Sequence, residues 1–261
     1  MKNKIFKNLF VGLVFIFLYL PIIILVIYSF NSSKMNILFE NFTFFWYKNL
    51  FQNTNLIEAF TNTIIIALSS TIISTIIGTI SAVGLHKYNF PLKNIINKLI
   101  YIPIIIPEIV LGISLLSIYT LMRLELGMVT LILSHIAFSI PYVIVSVRST
   151  LSSLPPNYEE AAQDLGANPI KTFFYITLPL IKPGVISGAT LALTLSLDDV
   201  VISYFTAGPG SNTLPLHIYS IIKTGITPDV NALTSLMLLT IIIILTTSAL
   251  IQSRKIAGEY R

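Results

Sequence analysis

The sequence predicts an all-α membrane protein of six transmembrane helices, and three observations carry that prediction. Of its 261 residues 54% are hydrophobic and only 10% are charged, against about a quarter charged in an average soluble domain. Six apolar runs reach or approach the roughly 20 residues that a spanning helix needs: 9–30, 59–85, 99–121, 126–147, 185–206 and 233–251. Finally, six crossings that start with Lys2 inside put all of the 16 Lys and Arg on the inner side except Lys34, Lys48, Arg123 and Lys223, as the positive-inside rule requires. Both termini are therefore expected in the cytoplasm. The formal charge of +5 reflects this topology and is no sign of nucleic-acid binding.

The first run follows Lys2, Lys4 and Lys7, which resembles the basic start of a secretory signal. Its apolar core is longer than the roughly 7 to 15 residues of such a signal, and no small-x-small cleavage site follows Phe30; a retained helix is expected. The outer connection, 31–58, carries the only tryptophan, Trp46, in Phe42-Thr43-Phe44-Phe45-Trp46-Tyr47. Two readings stand: an interfacial belt residue, or a cation-π contact at the outer mouth.

The second run is dense in small residues, Ser69, Ser70, Thr71, Ser74, Thr75, Gly78, Thr79, Ser81 and Gly84, which permit close helix approach in a bilayer. A central packing helix is expected. The third contains Pro103 and Pro107, each removing a backbone donor and favouring a kink; the bend either lines a path or is ordinary architecture. Three scattered histidines, His86, His135 and His217, make no metal site, and the absence of cysteine excludes disulfides and thiolate chemistry.

The loop 154–183 differs from the other connections. Pro155-Pro156 stops the preceding helix, and Asn157 with Glu160 three residues on reads as an N-cap with its capping-box partner. A short helix runs through Ala161, Ala162 and Leu165 to Gly166, whose freedom at positive φ suits a helix end. Asn168-Pro169 opens a second through Phe173, Phe174 and Ile176, closed by Leu178-Pro179. Both should lie on the inner membrane face. No segment is long enough for a soluble domain, so 1–261 is read as one transmembrane domain.

Three acids fall inside the apolar runs: Glu108 in the third, Asp198 and Asp199 in the fifth. Intramembrane carboxylates are costly, at least about 2.5 to 3.5 kcal/mol on insertion scales, and so are functional candidates. On straight helices Glu108 lies about 15 Å beyond Lys98 and Asp198 about 20 Å beyond Val185. Adjacent helical residues point about 100° apart, so the two aspartates cannot both face one pore, and one is buried or protonated. With no Lys or Arg at mid-span, the acids suit either a cationic cargo or hydrogen bonds from Ser, Thr or Tyr on neighbouring helices.

The pattern Glu160-Ala161-Ala162, three residues, Gly166, nine residues, then Ile176-Thr177-Leu178-Pro179 resembles the EAA loop of ABC-importer permeases at every fixed position, and it falls between the fourth and fifth runs, where that loop belongs. The likeness implies the type I importer permease fold, with Glu160, Ala161, Ala162, Asp164, Gly166, Ile176, Leu178 and Pro179 forming a coupling surface for an ATPase. No G-x-x-x-x-G-K-[ST] phosphate loop occurs here, so ATP and its Mg are expected on a separate chain and no catalysis in this one.

The run Leu193 to Ser203, with Gly208-Pro209, Leu214-Pro215-Leu216, Ile218-Tyr219-Ser220 and Pro228 to Leu233, is similar to the permeases of spermidine/putrescine importers. That likeness implies a bacterial inner-membrane complex of this chain with a PotB-like second permease, PotA-like ATPases and a PotD-like external binding protein. It also implies polyamine as cargo, with Trp46, Glu108, Ser196, Asp198 and Asp199 on its path. Two other classes compete: a proton-coupled secondary transporter, which explains the acids but not the Glu160 to Pro179 spacing, and a membrane assembly or sensor subunit.

Overall fold

The computed structural model describes residues 2–34, 38–155, 157–221, 228–240 and 242–243. Pro156, Lys223, Arg254, Lys255, Arg261 and the end of the sixth run beyond Ile243 lie outside them. The described chain is helical, and it divides into two compact units, 1–57 with 220–261, and 58–219.

In the first unit, α1 (Lys2–Tyr28) is a long apolar helix with none of its hydrophobic stretch buried. Beyond it the chain turns through a knot of aromatic rings, Phe30 stacked on Phe42 and edge-on to Phe44, into the short α2 (Phe45–Asn49). Asn31 organises this turn. Its amide donates to the Leu38 carbonyl at 2.7 Å and its side-chain oxygen accepts from the Glu40 N–H at 2.9 Å. Residues 228–240 are helical, and Asp229 accepts a 2.6 Å hydrogen bond from Asn53.

The helix α3 (Thr54–Lys87) crosses from the first unit into the second. Next come α4 (Lys93–Leu99), α5 (Ile102–Ile105), α6 (Glu108–Leu121) and α7 (Met128–Leu151). On the loop lie α8 (Tyr158–Asp164) and α9 (Pro169–Thr172). The second unit ends with α10 (Leu178–Asp198), α11 (Val201–Thr206) and α12 (Leu214–Ile221). Among the described residues four helices are long and apolar enough to cross a membrane, or five if the bent pair 93–105 and 108–121 is one span.

Small residues set the packing of this unit, as expected from the second run. A Cβ on Gly78 of α3 would meet Val143 of α7 at 2.7 Å. Gly184 and Gly188, one turn apart on α10, are as tight: a Cβ would fall 2.3 Å from the Thr150 hydroxyl and 3.0 Å from the Val143 backbone. With little hydrophobic drive between helices in lipid, such van der Waals contact holds spans together. Ala82, Leu85, Val143, Ile144, Val147, Leu151, Ile181 and Ala192 form the core between α3, α7 and α10.

Two expected straight spans are broken. The third bends by 109° between Ile105 and Glu108, because Pro107 cannot continue the ladder and Ile106 ahead of it is pushed to extended backbone. The fifth stops at Asp199, which is extended at φ −64°, ψ 126°. A distance counted along one helix therefore holds from Val185 to Asp198, at the end of α10, but not from Lys98 to Glu108.

Candidate functional site

On the loop, α8 starts differently from the expected capping box. Asn157 has φ 72° and its side chain makes no capping bond. Asparagine tolerates this left-handed conformation, and it is the Asn157 carbonyl that accepts from the Ala161 N–H at 3.0 Å. The far end is as expected. Gly166 has φ 88°, its N–H bonds the Gln163 carbonyl at 2.8 Å and the Ala167 N–H bonds that of Ala162 at 3.1 Å, a Schellman ending that requires a glycine-like position.

The second loop helix also departs from expectation. Asn168 caps α9, accepting from the Lys171 N–H at 2.8 Å, but Leu178-Pro179 does not close it. Residues Phe173–Thr177 form a π-helical turn that leads directly into α10. A turn widened in this way precedes Pro179 near the start of α10, where a missing N–H is tolerated.

This arrangement displays α8. Glu160, Ala161, Asp164 and Gly166 are exposed, Ala162 is half-buried, and Leu165 is 91% exposed. Of the residues further along, Pro179 is exposed while Ile176 and Leu178 are half-buried. Glu159 holds the helix in place, pairing with Lys87 of α3 and accepting a 2.9 Å bond from the buried Thr177 hydroxyl. Burial, and then the Glu159 charge, push the neighbouring Tyr158 phenol above its ordinary pKa. Behind α8 lies a cavity of about 500 Å³, lined in part by Val83, Lys87, Leu151, Tyr158 and Glu160.

The intramembrane acids separate into two kinds. Asp199 is 9% exposed and fully engaged: one oxygen accepts from the Ile202 N–H at 3.1 Å, the other from the Ser203 N–H and hydroxyl, both at 2.7 Å. It thereby caps α11. Asp198 and Glu108 are exposed, each at a helix break, and neither forms an ion pair among the described residues. α6, which begins at Glu108, packs on α11, with Gly112 so close to Phe205 that a Cβ would sit 2.7 Å from its ring.

Ser196 is buried between helices, its hydroxyl 3.2 Å from that of Ser70 on α3 and 2.6 Å from His135 Nδ1 on α7. His135 is the residue that the sequence reading passed over. Its signal was available, since a histidine in the middle of an apolar run is an ionisable intramembrane residue like the acids. Trp46 is buried, its indole N–H donating to the Asn31 carbonyl at 2.6 Å and its ring edge-on to Phe45, so the ring presents no open face. Among the described residues no three His, Asp or Glu side chains could share a metal ion.

A helical unit of closely packed spans, interrupted at acids and carrying a displayed loop helix, is the architecture of a transport component. The chain belongs to the family described as the binding-protein-dependent transport system inner membrane component, whose model matches residues 74–257. It is 39% identical over 259 residues to the spermidine/putrescine transport system permease protein PotC of Escherichia coli K12, covering 99% of this chain and 98% of that one. It is 41% identical over 231 residues to the putrescine transport system permease protein PotI of the same strain, covering 86% and 82%. The fold is shared with a chain of a bacterial ABC transporter involved in the import of the acidic polysaccharide alginate, at a TM-score of 0.74 over 95% of both chains and 15% identity.

Proposed function

We propose that this chain is the polyamine-conducting permease subunit of an ATP-driven importer, with both termini cytoplasmic and residues 1–261 acting as one transmembrane domain. The observation that carries the cargo is the pair of exposed carboxylates, Asp198 and Glu108, at breaks in otherwise apolar spans. Turned to lipid, each would cost at least about 2.5 to 3.5 kcal/mol; turned to a hydrated path, they offer charge-assisted hydrogen bonds to an ammonium group. The near full-length likeness to polyamine permeases supports the same cargo.

In this reading Asp198 and Glu108 face the path, while Asp199 and Ser196 shape it from behind. The displayed face of α8, from Glu160 to Gly166, seats in a PotA-like ATPase that binds ATP and Mg, and Ile176, Leu178 and Pro179 set the angle at which α10 leaves that contact. A PotB-like permease forms the other wall, and a PotD-like protein delivers cargo from outside. Closure of the ATPases would move α8, and through Glu159 and Thr177 the base of α10, whose far end is Asp198.

The test is uptake of labelled spermidine into proteoliposomes holding the whole complex. Uptake is expected to require hydrolysable ATP, to fall about tenfold or more in Asp198→Asn, and to be lost with ATPase binding in Glu160→Lys combined with Gly166→Leu. Uptake that persists without ATP and collapses with the proton gradient would overturn the proposal in favour of a secondary transporter.

A further inference from the structure

The break that leaves Asp198 exposed has a post behind it. His135 of α7 is 1% exposed, and both of its ring nitrogens reach across the break. Nδ1 lies 2.6 Å from the Ser196 hydroxyl, near the end of α10, and Nε2 lies 3.2 Å from the Ser203 hydroxyl on α11 and 3.5 Å from Asp199 Oδ2. One imidazole thus joins the last turn of one helix to the first turn of the next.

The contacts at the two ring nitrogens are met by a ring carrying one proton, on Nε2. The Ser203 hydroxyl donates to Asp199, so its free lone pair accepts from Nε2–H. Nδ1 then accepts from the Ser196 hydroxyl, whose oxygen shares the single Ser70 hydroxyl proton with the Ala67 carbonyl. A second tie fixes the other end of α11, the Thr130 hydroxyl of α7 donating to the Thr206 carbonyl at 2.9 Å. These two ties favour the broken arrangement over a continuous helix.

We infer that His135 is a positioning residue for cargo binding, holding the α10–α11 break so that Asp198 is turned out to the path; the inference rests on the proposed role of Asp198. It touches no cargo itself. Its removal lets the end of α10 drift, which weakens cargo binding without disturbing the α3, α7 and α10 core that assembles the unit.

The experiment is spermidine uptake by the whole complex in proteoliposomes, read as KM and maximal rate, for His135→Ala, His135→Gln, Ser196→Ala and Asp198→Asn, and for each of the first three combined with the last. His135→Ala is expected to raise KM about tenfold, the scale of losing hydrogen bonds in a charged network, with maximal rate and complex yield within about twofold of the parent. His135→Gln, which can both donate and accept, is expected to restore KM to within about threefold. In the Asp198→Asn background the penalty is expected to vanish, as coupled positions require. A wild-type KM in His135→Ala, or a penalty that multiplies that of Asp198→Asn, overturns the inference. Should His135→Ala fail to assemble, Ser196→Ala decides: a raised KM that Asp198→Asn abolishes upholds the inference, and an unchanged one overturns it. An Asp198→Asn variant with the parent's KM sinks the path reading itself, a result distinct from any of these.

Discussion

Glu159, rather than the neighbouring Glu160, ties the loop to the spans, and its two bonds can be weighed separately. Its pairing with Lys87 is partly exposed, at 31% and 20% for the two side chains, so it contributes only about 0.2 to 1 kcal/mol. Its bond from Thr177 is different, because the Thr177 hydroxyl is wholly buried and stranding it costs about 1 to 3 kcal/mol. Glu159→Gln removes the charge but keeps an oxygen for Thr177, so α8 should open about two- to threefold more often. Glu159→Ala removes both, and about 2 kcal/mol corresponds to roughly 30-fold. Amide hydrogen exchange of the assembled complex at rest, read on peptides covering residues 158–166, measures that opening. In a Thr177→Val background the alanine penalty should shrink to the size of the glutamine one. Equal exchange in the Gln and Ala variants would refute the assignment of the larger share to Thr177.

The remaining predictions concern three rigid points. Gly166→Ala has open space for its Cβ but a φ of 88°, so it should weaken the α8 ending by about 1 to 2 kcal/mol and lower ATPase co-purification without preventing insertion. Gly208→Ala would place a Cβ 1.8 Å from the Leu126 carbonyl oxygen, a backbone clash that no rotamer relieves, and the variant should fail to assemble, as gel filtration of the solubilised complex would show. Trp46→Phe leaves the Asn31 carbonyl without its indole donor, costing about 1 to 2 kcal/mol. The complex should melt several degrees lower with KM for spermidine unchanged, whereas a raised KM would restore a direct cation contact at Trp46.

Much of this molecule is legible in its sequence, and where it is not the reason is local. The contacts at Gly184 and Gly188 are seen only in the fold, but the close approach of α3 to α7 follows from Gly78 in the small-residue run, and the 109° bend from Pro107, because glycine and proline act on the backbone wherever they stand. The Schellman ending at Gly166 is readable for the same reason. The start of α8 is not, since Asn157 can either cap a helix with its side chain or turn the backbone left-handed, and only the surrounding chain chooses. The break at Asp199 lies within Leu-Asp-Asp-Val-Val-Ile-Ser, which contains no breaker at all. An acid followed by Ser203 four residues on is the one hint that a helix could begin there, and it is as easily read as two acids on a continuous span. His135 is half legible: its place inside an apolar run marks it as an ionisable intramembrane residue, but its bridging of helices far apart in sequence is visible only in the fold.

The break at Asp199 also changes what the main chain offers. In an unbroken helix the amides of Ile202 and Ser203 would bond the carbonyls of Asp198 and Asp199; here they turn to the Asp199 carboxylate instead. The ladder that would carry α10 into α11 is thereby interrupted, and the last carbonyls of α10 lose the amides that would follow them in a continuous helix. If Asp198 lines a hydrated path as proposed, water or an ammonium group can bond these carbonyls where lipid could not. On that reading the peptide backbone, and not the acids alone, offers acceptors to a cation, so replacing every nearby acidic side chain would slow the cargo without fully closing its route.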